Sequence, residues 1–224
     1  STRREDHRGS YWPSPDGKIP VGYAYGASGI ALFLLYLYLA SGEERFVRVG
    51  RAALDFDLSC RVVESGLATF PELAENSTLL LPYWRAGSAG VATTMLRYMQ
   101  VAGNEDLLTI FDQVLPDVCR KYTVSPGLFT GLSGLGNLLL DCHQVTGDTR
   151  YLREAHRTAE GILLYKLERP SGVAFPGDHL YRISVDYGHG SAGVGLFLHR
   201  LLHGGPNFNL LLDSLIPARV PAHV

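Results

Sequence analysis

The sequence predicts an all-α protein of stacked helical hairpins, a solenoid or α/α toroid, and three observations carry that prediction. A Gly-x-x-Gly tetrad recurs four times, at 26–29, 87–90, 131–134 and 190–193. Each tetrad runs into an almost wholly apolar stretch of helical length. A further glycine then follows at a fixed distance, since Gly42, Gly103 and Gly147 each lie 13 residues after the second glycine of their tetrad. A fixed internal period of this kind marks a repeat architecture.

The elements follow in order. In the first unit the apolar run 30–40 ends at Gly42, read as a helix C-cap because glycine adopts the left-handed conformation at little cost. Charged turns succeed the caps: Glu43-Glu44-Arg45, Asn104-Glu105-Asp106 and Asp148-Thr149-Arg150. A second, half-polar helix comes next. The clearest spans 150–166, with Tyr151, Leu152, Ala155, Ala159, Ile162 and Leu163 assigned to one face. The fourth unit slips in register, reaching Gly204 and Gly205 early. Four hairpins are expected near 22–63, 83–122, 127–168 and 186–216. A helix apolar all round must be enclosed, whereas a half-polar one can face water, so the first helices form an inner layer and the second an outer one. The connections 64–83 and 167–187 are long and carry Pro71, Pro82, Pro170 and Pro176, which reads as irregular backbone at the cavity mouth.

Composition excludes several classes of function. A net charge of −2 leaves no basic stripe for nucleic acid. An apolar run of about 11 residues falls well short of the ~20 that a spanning helix needs. The charged N-terminal residues lack the apolar segment of a signal peptide. Three widely spaced cysteines (Cys60, Cys119 and Cys142) fit reduced thiols in a cytoplasmic protein. The tetrad glycines themselves carry two readings. They permit tight turns and close helix approach, or they let helix N-termini present free N–H groups to an anionic ligand.

The segments Gly22-Tyr-Ala-Tyr-Gly-Ala-Ser-Gly29, Tyr83-Trp-Arg-Ala-Gly-Ser-Ala-Gly90 and Asp186-Tyr-Gly-His-Gly-Ser-Ala-Gly193 resemble the cyclase domain of lanthipeptide synthetases. More narrowly, they are similar to the zinc-free cyclase domain of the class III, lyase–kinase–cyclase enzymes. The resemblance runs through all four tetrads. It implies an α/α toroid with more hairpins than these four, so that residues 1–224 would be the C-terminal portion of the domain. Lyase, kinase and N-terminal cyclase segments are then expected outside this chain, and no kinase motif lies within it. The zinc-dependent relatives carry metal ligands and a histidine at positions that here hold Tyr25, Arg85, Phe129 and Thr130. No metal and no cofactor is therefore expected in this segment, and ATP with magnesium would belong to the kinase. The pair Cys142-His143 looks like a missing ligand pair, but it lies far down the inner helix.

The implied reaction adds a cysteine thiol of a precursor peptide to dehydroalanine or dehydrobutyrine, giving a lanthionine or labionin thioether. It requires a base for the thiol, a stabiliser for the enolate and a proton for the α-carbon. His189, just before a tetrad glycine, is the leading candidate for proton transfer, against a plain capping role. Arg85 either holds a thiolate or enolate or pairs with Glu72, Glu75 or Asp186. Tyr25 donates to the enolate or merely fills space, and Asp186 orients His189 or pairs with Arg85. Tyr83, Trp84, Thr130 and Tyr187 are assigned to substrate binding.

The partners implied are the precursor peptide, with its leader and its Ser/Thr/Cys core, and the remaining synthetase domains; a homodimer is left open. A non-catalytic toroid that binds the peptide or braces the other domains is the rival reading. An unrelated toroid enzyme such as a glycosidase would want paired carboxylates facing the cavity, and none lies within the tetrads.

Overall fold

The computed structural model describes residues 2–103 and 106–217. Asn104 and Glu105 of the second charged turn, and His223 near the C-terminus, lie outside the described residues.

Among the described residues seven α-helices form the body. Inner helices α1 (Ala27–Ser41), α3 (Ser88–Ala102), α5 (Leu132–Thr146) and α7 (Ser191–His203) pack side by side in chain order. Outer helices α2 (Glu44–Ser59), α4 (Asp106–Val118) and α6 (Thr149–Leu163) each pack on the inner helix that precedes them. This is the two-layered α/α arrangement, with no closed barrel. Gly42, Gly103 and Gly147 cap α1, α3 and α5 in the left-handed conformation, at φ 73°, 62° and 72°, as the common spacing requires.

Three features differ from the sequence reading. The connection after α2 is a sheet rather than irregular backbone: β3 (Val62–Glu64), β4 (Leu67–Leu73) and β5 (Asn76–Leu81) pair antiparallel. Ser65 and Gly66 both take positive φ, which makes the two-residue β3–β4 turn match strand twist, and Ala68 and Phe70 anchor β4 in the core. Two short hairpins, β1–β2 (Arg4–Asp6, Gly9–Tyr11) and β6–β7 (Leu167–Arg169, Gly172–Ala174), form separate two-stranded sheets. The fourth unit differs too, because among the described residues α7 is followed by a 3-10 turn, Leu211–Leu215, that packs back against α1. On α6, finally, Leu163 is exposed; Ala155, Thr158, Ala159 and Ile162 keep the helical period, and Leu163 falls about 100° off it.

At the C-terminal ends of the inner helices a buried ion network replaces apolar packing. Asp141 of α5 accepts from Arg97 of α3 and Arg200 of α7, both at 2.6 Å, and from Asn207 at 3.0 Å. Arg97 also donates to Asp213 at 2.7 Å, and Asp213 accepts from Tyr36 of α1 at 2.6 Å. All four inner helices thus meet in one network, and the side chains of Arg97, Asp141 and Arg200 are each under 5 % exposed. Burial alone would push the Asp141 carboxyl up, but the Arg97 and Arg200 guanidiniums reverse that and hold it below its usual range.

Candidate functional site

The four tetrads gather at the opposite end, the N-termini of the inner helices. Their sequence equivalence becomes a structural one through the residue two before each first glycine. The Ala24 N–H donates to the Arg85 carbonyl at 2.9 Å, the Arg85 N–H to the Phe129 carbonyl at 2.9 Å, and the Phe129 N–H to the Gly188 carbonyl at 2.8 Å. One belt of backbone hydrogen bonds therefore ties the four units together around the mouth.

The glycines are explained by close approach. A Cβ on Gly90 would lie 2.2 Å from the Trp84 carbonyl oxygen, and one on Gly87, at φ +105°, would collide with Leu81 O. The lead-in loop folds directly over the helix start. That fold also consumes the N–H groups: Ala89 donates to Pro82 O, Leu132 to Ser125 O and Ser191 to Ser184 O. On α1, the Ser28 N–H and hydroxyl donate to Asp57 Oδ2 at 2.8 and 2.6 Å. At Ser28, Ala89, Leu132 and Ser191 the N–H groups are thus taken by carbonyls and a buried carboxylate, which narrows the reading in which these termini offer free N–H groups to an anion.

Side chains define the site instead. Arg85, Thr130 and His189 line one cavity of about 430 Å³, with Ser125, Asp178 and His179. His189 is fixed from three sides. Its N–H donates to Asp186 Oδ1 at 2.7 Å, its Nδ1 lies 3.7 Å from the same oxygen, and its ring meets Phe129 edge-on at 5.5 Å. Asp186 thus contacts His189 rather than Arg85, and hydrogen bonds from Ser184 and the His189 N–H hold its carboxyl below the usual range. Arg85 approaches Glu72 at 3.9 Å, while Glu75 turns to the Ile19 N–H. Its guanidinium lies over the Tyr25 ring, 5.8 Å from the centroid. Tyr25 itself, 68 % exposed, lines a neighbouring cavity with Glu72 and not the one that holds His189.

A profile of the family described as "Lanthionine synthetase C-like protein" matches residues 2–212. The chain belongs to that family. It is also 25% identical over 190 residues to a protein of Streptomyces coelicolor (strain ATCC BAA-471 / A3(2) / M145) described as "Probable SapB synthase". That match covers 85% of this chain and 20% of the relative, so the chain spans about a fifth of the relative's length.

Within this family framework the remaining assignments divide. Trp84 lies in a row of aromatic rings, 4.4 Å from Tyr23 and 5.9 Å from Phe129, and Tyr187 meets Phe129 edge-on at 6.2 Å. Tyr187 also donates to Asn209. Tyr83 lines a separate cavity with Arg120 and Tyr122, away from His189. Cys142 is buried, which pushes its thiol up, and His143 Nδ1 lies 3.0 Å from the Asp148 carbonyl oxygen at the helix end, so that pair is structural.

Sequence reasoning missed His179, Asp178 and Ser184 at the mouth. It also missed the inner-helix caps Asp57 and Asp117, each of which follows its partner serine by 29 residues, a period that could have revealed them. Among the described residues, no group of three His, Cys, Asp or Glu side chains is arranged to hold a metal, and no helix is long and apolar enough to cross a membrane.

Proposed function

We propose that this chain is the C-terminal part of a class III cyclase domain. It adds precursor-peptide cysteine thiols to dehydroalanine or dehydrobutyrine without zinc, in a cytoplasmic synthetase that also carries lyase and kinase segments. The convergence of Arg85 and the His189–Asp186 pair on one cavity, in a chain of this family, is the observation that carries the reading. His189 takes the thiol proton, and Asp186 stabilises the imidazolium so formed. As the thiolate adds to the β-carbon, charge moves to the substrate carbonyl, where the fixed positive charge of Arg85 meets it. The mouth positions that hold zinc ligands in metal-dependent relatives carry a guanidinium, a phenyl ring and a hydroxyl (Arg85, Phe129 and Thr130), a donor set that does not fit zinc. The aromatic row of Trp84, Phe129 and the partly exposed Tyr187 suits packing against a peptide.

Cyclisation does not change peptide mass, so the test counts free thiols. A dehydrated precursor peptide incubated with the protein should lose its maleimide-reactive cysteines, and Arg85→Ala and His189→Ala should each slow that loss by about 10²-fold or more. Equal rates in wild type and both variants sink the catalytic assignment. The occupied helix termini favour a second reading, a scaffold that holds the peptide while cyclisation proceeds unaided. In that case both variants would bind the peptide and leave the rate of ring closure unchanged.

A further inference from the structure

We propose that His179 is a second catalytic imidazole, the donor that delivers a proton to the substrate α-carbon after His189 has taken one from the thiol. The inference rests on the cyclase reading above and adds a residue to it.

Two cavities adjoin at the mouth. One of about 430 Å³ contains Arg85 and Thr130, and the other, of about 490 Å³, contains Tyr181, Arg182 and Asp186. Asp178, His179 and His189 line both, so the two imidazoles stand at their junction. They come from separate segments: His189 from the N-terminus of α7, and His179 from the 3-10 turn Asp178–Leu180.

The backbone of that turn is strained where it presents the imidazole. His179 and Leu180 take φ of +52° and +61°, a left-handed conformation that non-glycine residues seldom adopt in succession. The turn is held in place by the Gly177 N–H donating to the Arg182 carbonyl at 2.8 Å and the Leu180 N–H to the Gly177 carbonyl at 3.1 Å. Strain of this kind persists where surrounding structure enforces it, and it concentrates at functional sites. No packing demand accounts for it, since the His179 side chain is 72 % exposed. Its ring stacks on Tyr181 at 5.6 Å, and its Nε2 lies 3.6 Å from Asp178.

The chemistry needs such a group. Addition breaks the S–H bond and the carbon–carbon π bond and forms the S–Cβ and Cα–H bonds, with one proton leaving sulfur and one arriving at carbon. His189, seated on Asp186 and Phe129, is fixed to receive the first. A protonated His179 on the turn supplies the second, and solvent exchange returns both imidazoles to their starting states. Which face of the enolate is protonated sets the configuration at the α-carbon, so the donor's position is written into the product.

The test uses the full-length protein and a synthetic peptide bearing one cysteine and one dehydroalanine, with ring closure run in deuterium oxide. Wild type should give one dominant α-carbon diastereomer. His179→Ala should slow closure by about 10²-fold and shift the diastereomer ratio toward that of the uncatalysed reaction. His189→Ala should slow closure while its residual enzymatic product keeps the wild-type configuration, and His199→Ala, on the exposed face of α7, should change neither. Wild-type rate and configuration in His179→Ala overturn the inference while leaving the cyclase reading intact. No acceleration by wild type over buffer overturns both.

Discussion

Replacing Asp141 with asparagine probes the feature that holds the inner helices together. The substitution keeps the shape and removes the charge between Arg97 and Arg200, whose side chains are each 3% exposed. Arg97 retains Asp213, but Arg200 is left with the carbonyl oxygens of Asn137, Gln144 and Gly205 and no carboxylate. Removing one partner of a buried ion pair costs about 3–5 kcal/mol, because the remaining charge stays desolvated. With a urea slope of about 2.5 kcal/mol/M for a chain of this size, a loss of about 4 kcal/mol lowers the unfolding midpoint by about 1.6 M. The exposed Arg157–Glu154 pair on α6 provides the contrast, since Glu154→Ala should cost less than about 0.5 kcal/mol. Urea titration followed by circular dichroism measures both. A midpoint for Asp141→Asn no lower than that of Glu154→Ala would refute the claim that this network clamps the four units.

Glycine substitutions should split by what their new methyl group meets. Gly90→Ala places a Cβ 2.2 Å from a backbone carbonyl and should cost about 2–3 kcal/mol or more. Gly195→Ala, in helical α7 with nothing within 4 Å, should stabilise by up to about 1 kcal/mol. Thermal midpoints moving the same way in both would contradict the account of the tetrads. Asp57 gives a pH signature. Burial pushes its carboxyl up to about 6, partly offset by the Ser28 and Gly22 donors. With the folded pKa above the unfolded one, the folded chain holds the proton more tightly. The associated stability is full below about pH 4 and is lost as pH rises through about 6, by about 3 kcal/mol over the two units. Denaturation profiles should show this fall in wild type and not in Asp57→Asn; parallel profiles would count against it.

The repeat was legible because it is written locally. Spacing alone located the caps Gly42, Gly103 and Gly147, and apolar periodicity separated α1 from α6 as inner and outer. Charged groups that act across the fold left no comparable trace. Arg97, Asp141 and Arg200 sit in helices that read as apolar, and their pairing depends on contacts 44 and 59 residues apart. The sheet after α2 was masked by Pro71 and Pro82, although Ser65-Gly66 carried the turn signal. At the mouth, motif position placed His189 and Thr130 together, because each directly precedes a tetrad glycine, and Arg85 beside them, because it sits one place earlier relative to its tetrad, on the backbone belt. Tyr83 failed that logic because it lies two residues before Arg85 and turns to a different cavity. His179 was invisible because its position depends on a left-handed backbone that no residue type there announces.

The most direct measurement is the rate at which a dehydrated precursor peptide loses free thiols in the presence of a strong zinc chelator. It should be run with wild-type protein, with the Arg85→Ala/His189→Ala double variant, and with no protein. The account predicts full wild-type acceleration in the chelator and a double-variant rate close to that of the peptide alone. Acceleration that the chelator abolishes, or that survives the double substitution unchanged, would contradict it.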